Sequence, residues 1–202
     1  MDIIQLKLGN IRSNCYIVIK EGLCFIVDPG FESDLVYEKI DILNLKPIFI
    51  YLTHGHYDHI GGANALKARY HIPIYAPIKD KIWLFDSEYN HWKTAVLVDH
   101  YVSDGDKILF DNTALTVIET PGHSAGGTML LYNRVLFGGD TLFFESVGRT
   151  DLPFSSFDEL RTSILKLYAL FPDDTIIYPG HGRSTTIGHE KTSNPFVHAK
   201  RP

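Results

Sequence analysis

Apolar runs that end beside a glycine and a histidine or aspartate recur along this chain of 202 residues. The first, Pro47–Leu52, is continuously apolar and rich in β-forming residues, which predicts a buried strand. It leads directly into the segment THGHYDHIGG, from Thr53 to Gly62. Three later runs end in PGHS, GGDT and PGHG. Because functional loops lie where strands end, the chain is expected to pack several strands so that these ends meet at one edge of a sheet.

Strands and helices alternate irregularly over the rest of the chain. Further strands are predicted at Ile3–Leu8, Cys15–Ile19, Leu23–Val27, Pro73–Tyr75, Leu115–Glu119, Thr128–Tyr132, Arg134–Phe137 and Thr175–Tyr178. Helices are predicted after Gly30 with Val36, Ile40 and Leu43 on one face, over about Gly62–Tyr70, near Pro77, and over Phe157–Phe171 behind the capping-box pair Ser156 and Glu159. This order predicts a layered α/β fold, and the length favours one domain spanning residues 1–202.

The stretch Asp86–Val102 has no clear period. It contains Tyr89, His91, Trp92, His100 and Tyr101 without a pattern typical of a helix or a strand. We interpret it as an irregular insertion near the surface.

The net charge, the N-terminal residues and the cysteines indicate which partners and which location to expect. A formal net charge of −5 gives no bulk attraction to phosphates, so nucleic acid is not an expected partner. The N-terminal residues lack the pattern of a secretory signal, and no apolar run is long enough to span a membrane. Cys15 and Cys24 form no CxxC pair and are expected to be reduced thiols, which favours a cytoplasmic location. The oligomeric state stays open.

The segment THGHYDHIGG concentrates ligand-type side chains. Residues two apart in an extended segment point the same way, so His54 and His56 are expected to face one point. Asp58 shares that parity, but a turn into a helix would swing it aside together with His59. Gly55 is expected to allow the bend. A pattern of this density predicts a metal site, whereas a polar surface loop would not need it.

Three further ligands follow the same rule of strand, glycine and ligand. They are His123 in PGHS, Asp140 in GGDT and His181 in PGHG. The remaining histidines lack this context, and we interpret them as surface or structural residues: His71, His91, His100, His189 and His198.

Together these motifs resemble the ligand set of the metallo-β-lactamase superfamily. The likeness extends from Asn14-Cys15-Tyr16 and Val27–Gly30 to Asn194-Pro195-Phe196. It implies an α/β fold, the four-layer αββα sandwich, with a site at one edge of two packed sheets. It assigns His54, His56 and His123 to one metal, Asp58, His59 and His181 to a second, and Asp140 to a bridge between them. Asp28 resembles the aspartate that braces the histidine loop in this superfamily.

This ligand set is too large for one tetrahedral ion and fits two divalent ions that share a carboxylate. Imidazole and carboxylate suit zinc, which we take as the first expectation, and also iron or manganese. Water shared by such ions has a pKa near 7, so a bridging hydroxide would be the nucleophile. We take the two carboxylates, Asp58 and Asp140, as the catalytic residues.

A second motif, Gly148-Arg149-Thr150-Asp151, indicates a branch of the superfamily. With Leu152-Pro153 it is similar to the glyoxalase II-like hydrolases, especially the short bacterial type. The resemblance implies a thioesterase that acts on S-lactoylglutathione or a related small-molecule thioester. Arg149 is the candidate substrate-binding cation, and a salt bridge with Asp151 is the alternative role for it. We expect no counterpart here of the helical domain that completes the glutathione site in two-domain relatives.

Glutathione-persulfide dioxygenases also resemble this chain. They hold one iron, for which His54, His123 and Asp140 would form the facial triad. The chain contains the ligands of both schemes, so the ligands alone leave the alternative open.

Overall fold

The first of two sheets contains the N-terminal strands in chain order. The computed structural model describes residues 1–31, 33–85 and 88–198. The strands of this sheet are β1 (Asp2–Leu8), β2 (Ser13–Lys20), β3 (Leu23–Val27), β4 (Lys46–Tyr51), β5 (Ile74–Pro77) and β6 (His100–Val102). The pairs from β1 to β3 are antiparallel, and those from β3 to β6 are parallel.

The second sheet is formed by the C-terminal strands. Their order across the sheet is β14 (Thr185–Thr186), β13 (Ile176–Pro179), β10 (Val135–Gly139), β9 (Thr128–Tyr132), β8 (Thr113–Glu119) and β7 (Lys107–Phe110). A separate hairpin of β11 (Leu142–Phe143) and β12 (Ser146–Val147) follows β10.

The helices lie in the connections between strands. They are α1 (Ser33–Ile42), α2 (Tyr57–Ile60), α3 (Ala63–Tyr70), α4 (Lys81–Leu84) behind the 3₁₀ turn Ile78–Asp80, α5 (Phe157–Leu170) and α6 (Ile187–Ser193). Helix α5 begins as the capping box predicts, since the Ser156 side chain accepts a hydrogen bond from the Glu159 backbone N–H. No helix in the described ranges is long and apolar enough to cross a membrane.

Three apolar layers hold the fold together. Between the sheets, Phe25 stacks on Phe49 at 4.9 Å and meets Phe110 edge-on at 4.9 Å. On the outer face of the first sheet, Val36 of α1 and Leu66 of α3 are fully buried. On the outer face of the second sheet, Leu160 and other residues of α5 are equally buried. The architecture is therefore the expected four-layer αββα sandwich.

The insertion at Asp86–Val102 is only partly irregular. Its last three residues form β6, which pairs in parallel with β5 and extends the first sheet. Residues 88–98 have no regular structure and lie against α2, where the Trp92 indole donates to the Tyr57 carbonyl at 2.8 Å. Asp86 and residue 87 fall outside the described residues. The prediction of one irregular segment was wrong for 100–102, because three residues are too few to show a period.

One strand was missed, and one other expectation needs correction. Strand β7 was not predicted, since Leu109 is 72% exposed and its apolar side chain hides the alternation of buried Ile108 and Phe110. Leu43 was placed on the buried face of α1, but the helix ends at Ile42 and Leu43 is 47% exposed. Cys15 and Cys24 are free and buried, as expected.

Candidate metal centre

Three histidines from the two sheets meet in a buried group. His54 and His56 follow β4, and His123 follows β8. One ligand atom from each lies within 4.8 Å of the others. His56 Nδ1 is 2.8 Å from His123 Nε2. The predicted first set of ligands therefore converges.

The second predicted set converges beside the first. Asp58 and His59 lie on the short helix α2, and His181 follows β13. The Asp58 Oδ2 atom is 3.2 Å from His59 Nε2 and 3.2 Å from His181 Nε2. The turn into α2 brings Asp58 into contact with His181, but the His59 ring lies 4.2 Å from the His54 ring, so His59 is not swung away from the His54–His56 pair as the sequence suggests. His181, 28% exposed, is the most accessible of the three and marks the open side of the centre.

Asp140 lies between the two sets. Its Oδ2 atom is 3.4 Å from His123 Nε2 and 3.5 Å from His181 Nε2. Its Oδ1 atom is 3.5 Å from His59 Nε2. A carboxylate in contact with members of both sets has the position that a bridging ligand needs.

Several of these buried atoms lack a hydrogen-bond partner. Within the described ranges they include His54 Nε2, His56 Nε2, His59 Nε2 and Asp140 Oδ1. His59 Nε2 and Asp140 Oδ1 are near other ligand atoms, yet their geometry does not satisfy a hydrogen bond. Buried polar atoms without partners are costly, and cations held by this group of side chains would satisfy those that face them. The donor set of imidazoles and carboxylates fits divalent metal ions.

The charge states of two histidines agree with this role. Burial, followed by the neighbouring histidines, holds the pKa of His54 well below its usual value. Burial and His123 lower the pKa of His56 to about 3. Both rings are therefore neutral at physiological pH, which is the form that binds metal. Burial also acts to lower the pKa of His59, but the carboxylates of Asp58, Asp140 and Asp28 outweigh it and raise that pKa.

Asp28 orients one histidine of each set. Its Oδ1 accepts from the Thr53 N–H at 2.7 Å, and its Oδ2 accepts from the Thr53 hydroxyl at 2.6 Å. With that proton committed to Asp28, the Thr53 hydroxyl can accept from His54 Nδ1 at 3.0 Å. His59 Nδ1 donates to Asp28 at 3.0 Å. Both histidines thereby turn Nε2 towards the centre, and the bracing role of Asp28 stays a prediction.

His123 is oriented by a backbone group. Its Nδ1 donates to the carbonyl of Arg149 at 2.7 Å. This bond leaves Nε2 as the unprotonated atom that faces His56 and Asp140. The loop that contains Arg149 therefore helps to position a candidate ligand through its backbone.

Asp80 joins the two ligand loops, and the sequence pattern did not single it out. It is fully buried and accepts hydrogen bonds from Gly55 N–H at 2.8 Å, Gly126 N–H at 2.6 Å and the Ser124 hydroxyl at 2.7 Å. Gly55 lies between His54 and His56, and Ser124 follows His123. Burial raises the pKa of Asp80. Asp80 thus links the loop after β4 to the loop after β8.

Two glycines permit the close packing of the loops. A Cβ atom at Gly180 would lie 2.1 Å from Asp140 Oδ1, so only glycine fits before His181. A Cβ atom at Gly55 would lie 2.5 Å from the Trp83 side chain. Gly55 is not among the residues with positive φ, so close approach, and not the expected bend, accounts for glycine there.

A cavity of about 200 Å³ opens beside the ligand cluster. Six of its lining residues lie outside the predicted ligands: Ile11, Tyr57, Trp83, Tyr89, Arg149 and Leu152. Only Arg149 had been predicted as a substrate residue. Tyr57 and Leu152 lie within motifs quoted from the sequence but were not singled out as substrate residues. Ile11, Trp83 and Tyr89 belong to no motif, so only the fold brings them to the cavity.

Arg149 lines this cavity but is paired with a carboxylate. Its Nε and Nη2 atoms donate to the two Asp151 oxygens at 2.7 and 2.8 Å. The hydrogen bonds from Arg149 lower the pKa of Asp151 to about 2. The alternative role for Arg149, a salt bridge with Asp151, is therefore present. Both side chains are more than 60% exposed, which limits the strength of the pair.

Aromatic rings form the wall next to His56. The Trp83 ring lies 4.6 Å from the His56 ring and 5.5 Å from the Tyr89 ring. The Tyr89 ring lies 5.2 Å from that of Phe154. Segment 88–98, which the sequence left unexplained, therefore contributes to the cavity. The five histidines interpreted as surface or structural residues belong to none of the ligand groups found among the described residues.

Comparisons with known proteins agree with this geometry. The profile described as "Metallo-beta-lactamase superfamily" matches residues 8–181. The "Hydroxyacylglutathione hydrolase GloC" of Haemophilus influenzae is 33% identical over 99% of this chain and 100% of its own. The "Probable metallo-hydrolase YqgX" of Bacillus subtilis is 33% identical over 60% of this chain, and the match spans only 61% of that protein.

Solved structures resemble the whole chain. BLEG-1, described as a B3 metallo-β-lactamase, has a TM-score of 0.90 and 34% identity, with 98% of this chain and 100% of its own covered. TTHA1623 in a di-iron-bound form has a TM-score of 0.85 and 32% identity, with 96% and 100% covered. ETHE1 from Myxococcus xanthus has a TM-score of 0.83 and 28% identity, with 96% and 84% covered.

Proposed function

Since the chain belongs to the metallo-β-lactamase superfamily, we propose that it is a metal-dependent thioesterase. Its substrate is S-lactoylglutathione or a related small-molecule thioester. The observation that carries the proposal is the pair of ligand sets around Asp140, with buried Nε2 atoms that lack protein partners. The full-length likeness to the Haemophilus influenzae hydrolase supports the choice of a thioester.

The residues divide into binding and orienting groups. His54, His56 and His123 would hold one divalent ion, Asp58, His59 and His181 a second, and Asp140 would contact both. Zinc is our first choice, and iron or manganese fits the same donors. When bound, such ions supply a water nucleophile of lowered pKa and polarise the scissile carbonyl.

The chain itself would position the thioester and manage protons. The cavity brings the substrate to the open side of the centre, where His181 is exposed. Water adds to the carbonyl carbon, the C–S bond breaks, and the thiol leaves with a proton. Asp58 and Asp140 are the carboxylates that face this point, so they are our candidates to hold the proton released by the water.

The test combines metal analysis with product detection. Protein purified without chelators is reconstituted with zinc, manganese or iron, and bound metal and thiol release from S-lactoylglutathione are measured. We expect two ions per chain and thiol release that a chelator abolishes. Occupancy that stays at one ion after reconstitution, without thiol release from any thioester, would refute the proposal.

Two other activities serve as alternatives in the same test. The persulfide dioxygenase scheme needs only His54, His123 and Asp140, which lie together in this centre. Oxygen uptake with glutathione persulfide, lost on iron chelation, would favour it. The likeness to BLEG-1 makes a chromogenic β-lactam the second comparison substrate. We expect thioester hydrolysis to exceed both.

A further inference from the structure

The part of the cavity that lies away from the ligand cluster is apolar. Trp83, Tyr89 and Phe154 form three mutual ring contacts, with centroids 5.2 to 6.2 Å apart. Trp83 also contacts the His56 ring at 4.6 Å, so this aromatic wall begins at the candidate metal centre. Leu152 lines the same cavity. A substrate group that extends from the reacting carbonyl would meet rings and an aliphatic side chain.

Phe154 packs against the Trp83 and Tyr89 rings in an uncommon backbone conformation, although it does not itself line the cavity. Its φ angle is +63°, in the left-handed region that bulky residues rarely adopt, and 48% of it is exposed. The following residues anchor it: the Ser155 N–H donates to the Leu152 carbonyl at 3.2 Å, and the Ser156 N–H donates to the Gly122 carbonyl at 2.8 Å. These backbone hydrogen bonds fix Phe154 beside the Trp83 and Tyr89 rings, which line the cavity.

The basic side chain of this cavity is already paired, whereas the buried Trp83 indole N–H has no hydrogen-bond partner among the described residues. Arg149 is the only lysine or arginine among the described lining residues, and both oxygens of Asp151 engage its guanidinium. A glutathione thioester bears carboxylates at both ends of its peptide, and each would need a cation for tight binding. The cavity therefore offers apolar contacts more readily than a binding site for a dianion.

We propose that the aromatic wall selects thioesters that bear a hydrophobic group, on either the acyl or the thiol side. This inference rests on the proposed thioesterase function and gives its substrate class. Burial of such a group against the rings would hold the thioester and orient its carbonyl towards the metal centre. S-Lactoylglutathione would then be a weaker substrate than small hydrophobic thioesters.

The test varies the two sides of the substrate separately. In the acyl arm, the phenylacetyl and acetyl thioesters of N-acetylcysteamine are compared. In the thiol arm, the acetyl thioesters of 2-phenylethanethiol and N-acetylcysteamine are compared. We expect kcat/KM to favour the hydrophobic member in at least one arm by about tenfold, as expected for burial of a phenyl group. The arm in which the preference appears shows whether the acyl group or the thiol group of the substrate contacts the aromatic wall. Equal kcat/KM values in both arms would overturn the proposal.

Tyr89→Ala provides the test variant. Because Tyr89 lines the cavity, is only partly buried and lies in the irregular segment 88–98, its truncation should leave the fold intact while the hydrophobic preference falls, mainly through KM. Phe196→Ala is the control, since Phe196 is 52% exposed and does not line the cavity. The control should keep the preference of the wild type. An identical preference in both variants would show that the wall does not bind substrate.

A binding measurement separates this inference from the thioesterase proposal. Thioethers in which a CH₂ group replaces the scissile carbonyl are titrated calorimetrically against the metal-reconstituted protein, in phenyl and methyl versions. Tighter binding of the phenyl version, lost in Tyr89→Ala, supports the wall even if no thioester is hydrolysed. Equal binding of the two thioethers would overturn the inference even if the protein hydrolyses thioesters.

Discussion

Asp140 contacts members of both ligand sets, whereas His181 belongs to one. Asp140→Ala is therefore expected to lower bound metal and thioesterase activity more than His181→Ala does. Metal content per chain, measured by mass spectrometry after reconstitution, checks this. Circular dichroism serves as the control that both variants are folded. An equal or milder loss in Asp140→Ala would argue against a bridging role.

Asp151 pairs with Arg149, the one permanent cation among the described residues that line the cavity. Asp151→Asn should free Arg149 and lower the KM for S-lactoylglutathione by about two- to fivefold, the range that exposed ion pairs are worth. Since the pKa of Asp151 is lowered to about 2, its charge pairs with Arg149 at every practical assay pH. The acetyl thioester of N-acetylcysteamine, which has no charge, is the control and should be unaffected. A fall in KM of equal size for both substrates would mean that Arg149 does not meet the glutathione carboxylates.

The sequence predicted the residues with a chemical pattern and missed those without one. The seven predicted ligands stand in motifs whose spacing reflects ligand geometry, and the structure brings them together. They are His54, His56, Asp58, His59, His123, Asp140 and His181. Asp80 has no such context, although it joins the loops of His54 and His123. Trp83, Tyr89 and Leu152 belong to separate segments, and their approach to one another depends on tertiary packing.

At the scale of elements, Asp99 ties α3 to the first sheet. Its carboxylate accepts from Lys67 of α3 at 2.6 Å and from the Ile74 N–H at the start of β5 at 2.8 Å. Partial burial acts to raise the pKa of Asp99, but Lys67 and the Ile74 N–H outweigh it and lower the pKa. The ionised carboxylate therefore stabilises the junction.

The contribution of Asp99 to the free energy of unfolding should decrease as the pH falls. Because the folded pKa of Asp99 is depressed, its contribution is present above the unfolded value of about 3.9 and is lost as pH falls through the folded pKa. Asp99→Asn should lower the free energy of unfolding at pH 7 and have a smaller effect near pH 3. Urea denaturation of both proteins at the two pH values measures the difference. A difference that does not change with pH would exclude the ion pair as its source.

Helices and strands could be predicted from the sequence where their buried side chains recur at a regular spacing. Helix α5 begins at its capping box and buries one face, so its sequence pattern located it to within a residue. Strand β7 alternates, but an exposed Leu109 conceals it. Strand β6 depends on its neighbour β5 for pairing, and three residues show no period of their own.

At the scale of the whole molecule, the candidate centre lies across the junction of the two sheets. His54, His56, Asp58 and His59 follow β4 of the first sheet, whereas His123, Asp140 and His181 follow β8, β10 and β13 of the second. Neither ligand set is complete within one sheet. Bound metal is therefore expected to stabilise the docking of the sheets as well as the loops.

This division of the ligands between the two sheets predicts the order in which the chain folds and binds metal. The four ligands after β4 are nearly contiguous in the chain, yet they include members of both sets and complete neither. A nascent chain should consequently fold first and acquire its ions last, so metal should slow unfolding with little effect on the folding rate. Stopped-flow unfolding and refolding in denaturant, with and without zinc, would reveal this; a large acceleration of folding by zinc would contradict it. Loss of the bound ions would then be the first step of unfolding.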